Sequence, residues 1–231
     1  GAFASSYPGE HIAVAGGGTD AGFEALFDKT ADVTMASRKV LVKEMQAAVL
    51  NDCKLKEVEV CRGAVAVITH PSNPVKELSL DQLGKILKGE ITNWQDVGGP
   101  DGLITVYVGQ PISGTAQFLR ESVMGNEYFS SDARIRDYYH HIIRDLNRRK
   151  PPGLGYAPLL DATAAQEKNL VRIMGIKKDP AAPAVYPSYT TLKDKSYPLV
   201  LPLYFYWNAD AASPLVAKFV EFCRNQCEIG R

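Results

Sequence analysis

The sequence predicts an α/β fold, and three observations carry that reading. Short apolar and β-branched runs alternate with stretches of helical spacing. Twice a strand-like run delivers the chain into a loop of glycines and hydroxyls just ahead of a helix. A content of 45% hydrophobic and 23% charged residues over 231 positions is that of a globular protein, long enough for one large or two modest domains.

Along the chain, EHIAVAGGG (10–18) reads as a strand entering a glycine loop, GFEALF (22–27) as a short amphipathic helix, and ADVTMAS (31–37) as a second strand. Together they form a βαβ-like opening with a parallel sheet. KEVEVCRGAVAVITH (56–70) is a longer β-rich stretch that breaks at Pro71 and Pro74. SLDQLGKILKG (79–89) carries the capping-box pair Ser79 and Gln82, apolar Leu83, Ile86 and Leu87, and a stop at Gly89. ITNWQDVGGPDG (91–102) is rich in turn formers, and LITVYVG (103–109) is a strand leading into PISGT (111–115) and the helix QFLRESV.

A charged helix bearing Tyr, His and Arg is expected from Ser131 to Lys150, and KPPGLGYAPLL (150–160) ends it ahead of another short strand. YPLVLPLYFYWN (197–208) is apolar and aromatic, but Pro198 and Pro202 suit an edge strand or an extended crossover, because a central strand needs its N–H groups. The last helix, SPLVAKFVEFCRNQC (213–227), sets Leu215, Phe219, Phe222 and Cys223 near one face. Neither an internal repeat nor a low-complexity tract is present.

Charge narrows the function. Lys plus Arg and Asp plus Glu number 26 each, so no global field draws the chain to nucleic acid, and a bound anion must be held by local groups. The basic run Arg144, Arg148, Arg149, Lys150 reads as a helix C-terminus complementing its dipole. No apolar run approaches the roughly 20 residues that span a bilayer. Phosphate-loop, dinucleotide, nucleophile-elbow and zinc-helix motifs are absent, and adjacent His140 and His141 on a helix would not share a metal. No nucleophile–base pair suggests catalysis, so the chain is read as a non-enzyme without cofactor or metal. Cys53 and Cys61 flank an extended stretch and are too far apart to join each other. Free thiols and one bridge from a distant pair both remain open for Cys53, Cys61, Cys223 and Cys227.

What stands out is one design used twice. Gly16-Gly17-Gly18-Thr19 and Ser113-Gly114-Thr115 each follow a strand and open a helix, where unpaired N–H groups and the helix dipole favour an anion and small residues admit it closely. Ser37 and Arg38, after the ADVTM strand, add a hydroxyl and a forked cation suited to phosphate or carboxylate. A tetrahedral oxyanion held mostly by neutral donors suits a chain with no net charge.

Taken in order, YPGEHIAVAGGGTDAG, ADVTMASR, VAVITHPSNPVKELSLDQLGKILKGEITNWQDVGGPDG, PISGTAQFL, PPGLGYAPL and YPLVLPLYFYWN resemble, almost end to end, the phosphate-binding proteins of ABC importers, of the type II periplasmic binding protein superfamily. The resemblance implies two α/β lobes with mixed, mostly parallel sheets, joined by a two-strand hinge around a ligand cleft. Lobe one would take residues 1–69 and 199–231, and lobe two residues 70–198. It implies a noncatalytic receptor in the periplasm or outside the cytoplasmic membrane, docking on the membrane permease subunits of an ABC transporter and binding no nucleic acid. The alternative is a sensor or interaction module whose phosphate site is weakened or lost.

By motif matching, the implied ligand-binding residues are Gly18, Thr19, Ser37, Arg38, Ser113, Gly114 and Thr115. Thr19 stands where the family has a phosphate-binding serine, and Arg38 where many members have arginine and some aspartate. Two departures follow. The family arginine four residues before the SGT serine is Gly109 here, with Gln110, Pro111 and Ile112 after it and Ala116 in place of a second arginine, so phosphate affinity is expected to fall unless Arg38 compensates, and a different or weaker anion or a degenerate site fits as well. The chain also opens at GAFASSYPG, which matches the helix after the family's first strand, so a central strand of lobe one is expected either upstream of Gly1, with a membrane anchor in that part, or from another chain that fills the gap.

Overall fold

The computed structural model describes residues 2–148 and 152–229, with side chains through Cys227. The chain forms two compact units, Gly1–Arg62 with Pro202–Arg231, and Gly63–Leu201. Sequence placed the borders at 69/70 and 198/199. The units divide instead at 62/63 and 201/202, at Gly63 and Pro202, each inside a strand that continues through the border.

The first unit begins with α1 (Ala2–Ser6), α2 (Gly18–Phe27), β1 (Thr34–Ala36), α3 (Val42–Leu50) and the opening half of β2 (Leu55–Thr69). The second contains the rest of β2, then β3 (Glu77–Ser79), α4 (Leu80–Lys88), β4 (Val106–Gly109), α5 (Gly114–Val123), β5 (Arg134–Arg136) and α6 (Tyr139–Arg148). It continues through β6 (Leu154–Pro158), α7 (Leu159–Glu167), β7 (Arg172–Ile173), β8 (Gly175–Lys177) and α8 (Tyr189–Lys193). The chain returns to the first unit in β9 (Val200–Asn208) and ends in α9 (Pro214–Ile229).

In the second unit, β2 pairs antiparallel with β6, and β6, β4 and β5 run parallel. Side chains alternate across these strands, as the pleat requires. Val65, Val67, Val106, Val108, Leu154 and Tyr156 face the core built with Leu83, Ile86 and Leu87 of α4 and Leu119 of α5. Ala66, Ile68, Tyr107 and Ala157 face the opposite core, with Ile142 and Leu146 of α6 and Ala162 of α7. Helices cover both faces, which is why these strands read as continuous apolar runs. The expected box closes α4: Gln82 N donates to Ser79 Oγ at 3.1 Å, Ser79 N to Gln82 Oε1 at 2.9 Å, and Gly89 ends the helix at φ 82°.

The first unit follows the same logic. Tyr204 and Tyr206 of β9 face Phe23, Leu26 and Phe27 of α2, while Phe205 and Trp207 face Val216 and Val220 of α9. The buried stripe of α9 is thus Val216 and Val220, with Phe219 and Cys223 beside it, one position along from the expected Leu215.

Three expectations are corrected. Residues 10–16 form no strand and are almost wholly exposed, because in the structure no neighbouring strand pairs their backbone. The parallel βαβ opening is accordingly not formed, and β1 pairs antiparallel with β9. β9 lies between β1 and β2, so of the two alternatives the edge strand fails and the extended crossover holds, since β9 runs through the border at 201/202; its pairing with β1 starts at Tyr204, beyond Pro202. The helix expected from Ser131 starts only at Tyr139, because Arg134-Ile135-Arg136 is drawn into the sheet beside Tyr107-Val108-Gly109. Arg149 and Lys150, at its predicted end, lie outside the described residues.

The cysteine alternatives resolve to one bridge, Cys61–Cys227, with Cα atoms 5.8 Å apart, while Cys53 and Cys223 are free. The bridge ties β2 to the last turns of α9 across 166 positions of sequence. Replacing both bridged cysteines with serine removes a constraint on the unfolded chain and is expected to lower stability by about 3–5 kcal/mol, read as a fall in the urea midpoint.

Candidate anion-binding loops

In the first unit, the loop entering α2 is shaped by Gly17 and Gly18, whose φ angles of 154° and 84° suit glycine. A Cβ on Gly17 would also stand 3.0 Å from Ala21 Cβ. Thr19 then falls in the first helical turn, where N–H groups lack helical partners. Thr19 is not the cap, which is Gly17, but is buried against the end of β1. Ser37 N donates to Thr19 Oγ1 at 3.3 Å, and the two hydroxyl oxygens lie 3.4 Å apart. Gly18, Thr19 and Ser37 are therefore brought together.

Arg38 is differently engaged. Its Nη1 donates to Glu44 Oε2 at 2.9 Å, its Nη2 to Glu44 Oε1 at 2.7 Å, and Nη2 also meets Asp20 Oδ1 at 2.5 Å. Glu44 is buried on the first turn of α3 and also accepts from Leu41 N at 2.7 Å. The hydrogen bond to Glu44 raises the pKa of the Arg38 guanidinium, against the opposing effect of burial. One cation facing two carboxylates leaves this cluster at net −1, so Arg38 carries no uncompensated positive charge. Sequence reasoning missed Asp20 and Glu44. The signal was available in an acid next to Thr19 and another at the third position of α3, both within reach of a strand-end arginine.

In the second unit, β4 is buried throughout and ends at Gly109, whose N–H donates to the Tyr156 hydroxyl at 3.0 Å. Burial pushes the Tyr156 phenol well above its ordinary pKa, so it stays a neutral group at this strand end. Ser113 is the N-cap of α5: Ala116 N donates to Ser113 Oγ at 3.3 Å and Gln117 N to Ser113 O at 3.0 Å. Gly114 and Thr115 form the first helical positions, with Thr115 buried. No ionisable residue other than Tyr107 lies between Leu103 and Leu119, so this loop offers an anion neutral donors and a helix dipole. Ile112 is exposed beside it, and Gln110 Nε2 donates to Asp137 Oδ1 at 2.6 Å. Among the described residues, no group of three or more His, Cys, Asp or Glu side chains could hold a metal.

A family model described as the PBP superfamily domain matches residues 1–225. The chain belongs to the periplasmic binding protein superfamily. Within the superfamily it is 32% identical over 208 residues to the phosphate-binding protein PstS of Staphylococcus haemolyticus, covering 88% of this chain and 64% of that relative. It thus spans less than two thirds of that relative's length. Among solved structures, the phosphate-bound substrate-binding protein assigned to a phosphate ABC transporter of Clostridium perfringens shares 27% identity at a TM-score of 0.73, covering 96% of this chain and 84% of that one. An ABC-type phosphate transport receptor from Vibrio cholerae, 24% identical, has a TM-score of 0.79 over 96% of this chain and 86% of its own, a likeness of fold. The fold is the mixed α/β type II architecture of the superfamily.

The Arg38 cluster has a measurable consequence. Glu44→Gln removes the bidentate partner of a largely buried guanidinium and is expected to cost about 2–4 kcal/mol, read by urea unfolding. Asp20→Asn, at a more exposed position, is expected to cost under about 1 kcal/mol.

Proposed function

We propose that the chain is the ligand-binding part of an extracytoplasmic receptor for phosphate or a related oxyanion, which hands its ligand to the membrane permease of an ABC importer without chemical change. The observation that carries this reading is the loop at the start of α5. Ser113 caps the helix while the Gly114 and Thr115 N–H groups and the Thr115 hydroxyl remain suited to an anion, in a chain 32% identical to a phosphate-binding protein. We assign Ser113, Gly114 and Thr115 as donors in the second unit, and Gly18, Thr19 and Ser37 in the first. Arg38 belongs to the assigned set too, with its role narrowed by its pairing to Glu44 and Asp20 to fixing the loop.

Such a site works by substitution of solvent. Backbone N–H groups fixed by a helix start replace the water around an oxyanion and need no reorganisation when it arrives. Neutral donors suffice for binding, but a charge-assisted arginine pair contributes about 1.5–3 kcal/mol that Gly109 does not supply. The Cys61–Cys227 bridge supports the extracytoplasmic assignment, since disulfides persist where the medium is oxidising. Among the described residues, no helix is long and apolar enough to cross a membrane.

Calorimetry with inorganic phosphate and sulfate tests the proposal. Heat with phosphate is expected, weakened at least about tenfold in Thr115→Val, which keeps shape and removes a hydroxyl donor. Gly109→Arg is expected to tighten phosphate binding by about tenfold or more. A Cβ at Gly109 meets only ordinary contacts, 3.5 Å to Tyr139 Cε1 and to the Tyr156 hydroxyl and 3.6 Å to Ser113 Oγ. Absence of heat with either anion would overturn the receptor reading.

A further inference from the structure

The second unit holds a cavity of about 330 Å³ lined by Lys76, Gln166, Arg172, Ile173, Tyr186 and Pro187. That volume lies at the lower end of the range of about 300–1,000 Å³ that small-molecule pockets occupy. It is separate from the α5 loop. β4 and β6 start side by side at Val106 and Leu154, Leu154 stands opposite Thr69, and Thr69 opposite Arg172. The cavity therefore sits where β4 and β6 begin, whereas the Ser113 loop leaves β4 at its far end, beyond about 10 Å of extended chain.

Its walls are anchored by backbone groups. Arg172 Nη1 donates to Asn73 O at 2.5 Å, which fixes one arm of the guanidinium. Gln166 Oε1 accepts from Ile173 N at 2.7 Å, which leaves the amide nitrogen as a donor. Tyr186 follows Val185, which exchanges two 2.9 Å hydrogen bonds with Ile176, and its ring lies directly on Gly175. A Cβ at Gly175 would stand 2.9 Å from both Tyr186 Cε2 and Cζ, so glycine is what lets the ring pack there.

Charge is one-sided at this cavity. Among the described residues, neither Lys76 nor Arg172 is ion-paired with a carboxylate. The nearby carboxylate, Glu77, is paired with Lys177 at 3.1 Å. Burial raises the Tyr186 phenol, Glu77 adds to that, and Arg172 and Lys177 oppose it, so all three charges are felt at the ring. In a chain with no net charge, two cations converging with an amide donor and an aromatic face are a local concentration of anion-binding groups. Ile173, Pro187 and the Tyr186 ring make the rest of the lining apolar, which inorganic phosphate would not use.

We propose that this cavity is a second ligand site, taking a small organic anion whose carboxylate or phosphate head meets Lys76 and Arg172 while a flat apolar body lies on Tyr186. The site is independent of the α5 loop and of its assigned ligand.

Backbone amide NMR on the full chain tests it, with phenyl phosphate, benzoate and inorganic phosphate as probes. Phenyl phosphate, benzoate or both are expected to shift the Ile173 and Tyr186 amides, with affinity weakened at least about tenfold in Arg172→Gln. Lys76→Met, at an exposed position, provides a second variant if the first perturbs folding, and a loss of a few-fold is expected. Thr115→Val is expected to leave these shifts unchanged, which separates this site from the proposed oxyanion donors. The proposal is overturned if neither organic probe moves these amides at millimolar concentration, if binding is indifferent to both variants, or if inorganic phosphate binds there as tightly as phenyl phosphate.

Discussion

Between Leu55 and Thr69 the backbone stays extended for 15 residues, and the hydrogen-bonding groups along both of its edges must find partners or be left without them. β9 answers one stretch, β6 another and β7 the last two residues. The two faces of the same strand seed two cores in the second unit, because Val65 and Val67 point one way and Ala66 and Ile68 the other. Tyr197, far along the chain, returns to donate to Val65 O at 2.9 Å, and Val65 N donates to Leu199 O at 3.0 Å. Both units are thus organised by what one strand demands of its neighbours, and the loops that open α2 and α5 inherit their positions from strands arranged beside it.

The two loops proposed to hold an anion differ in the charges around them. At α5 the stretch offers backbone N–H groups and hydroxyls, and Tyr107 is its one ionisable side chain between Leu103 and Leu119. At α2 the chain places an arginine but surrounds it with Glu44 and Asp20, so the cation orders the loop more than it charges it. A departure from the family pattern at Gly109 is therefore not offset by an uncompensated arginine elsewhere in the assigned set.

Legibility in the sequence followed the range of the forces involved. The Ser79–Gln82 box, the Gly89 stop and the Ser113 cap depend on residues three or four apart, and each is where composition placed it. Residues 10–16 failed for the complementary reason. Their alternation is that of a strand, but a strand is made by its neighbours, and none lies beside this segment. Arg134-Ile135-Arg136 went the other way, gaining a parallel partner in β4 that no local pattern announced. At the candidate site, the caps and hydroxyls near the helix starts can be picked out in sequence because their chemistry is local, and their role toward an anion is a proposal. The pairing of Arg38 with Glu44 could not be read, because that partner sits six positions on in a separate helix, reached only by folding.

The cystine described earlier encloses the whole second unit in sequence, since Gly63–Leu201 lies wholly between Cys61 and Cys227. A protease that cuts anywhere in that unit therefore produces two polypeptides that still travel as one molecule. They separate on a gel only after reduction, so a nicked chain in an oxidising medium keeps its mass while losing its continuity.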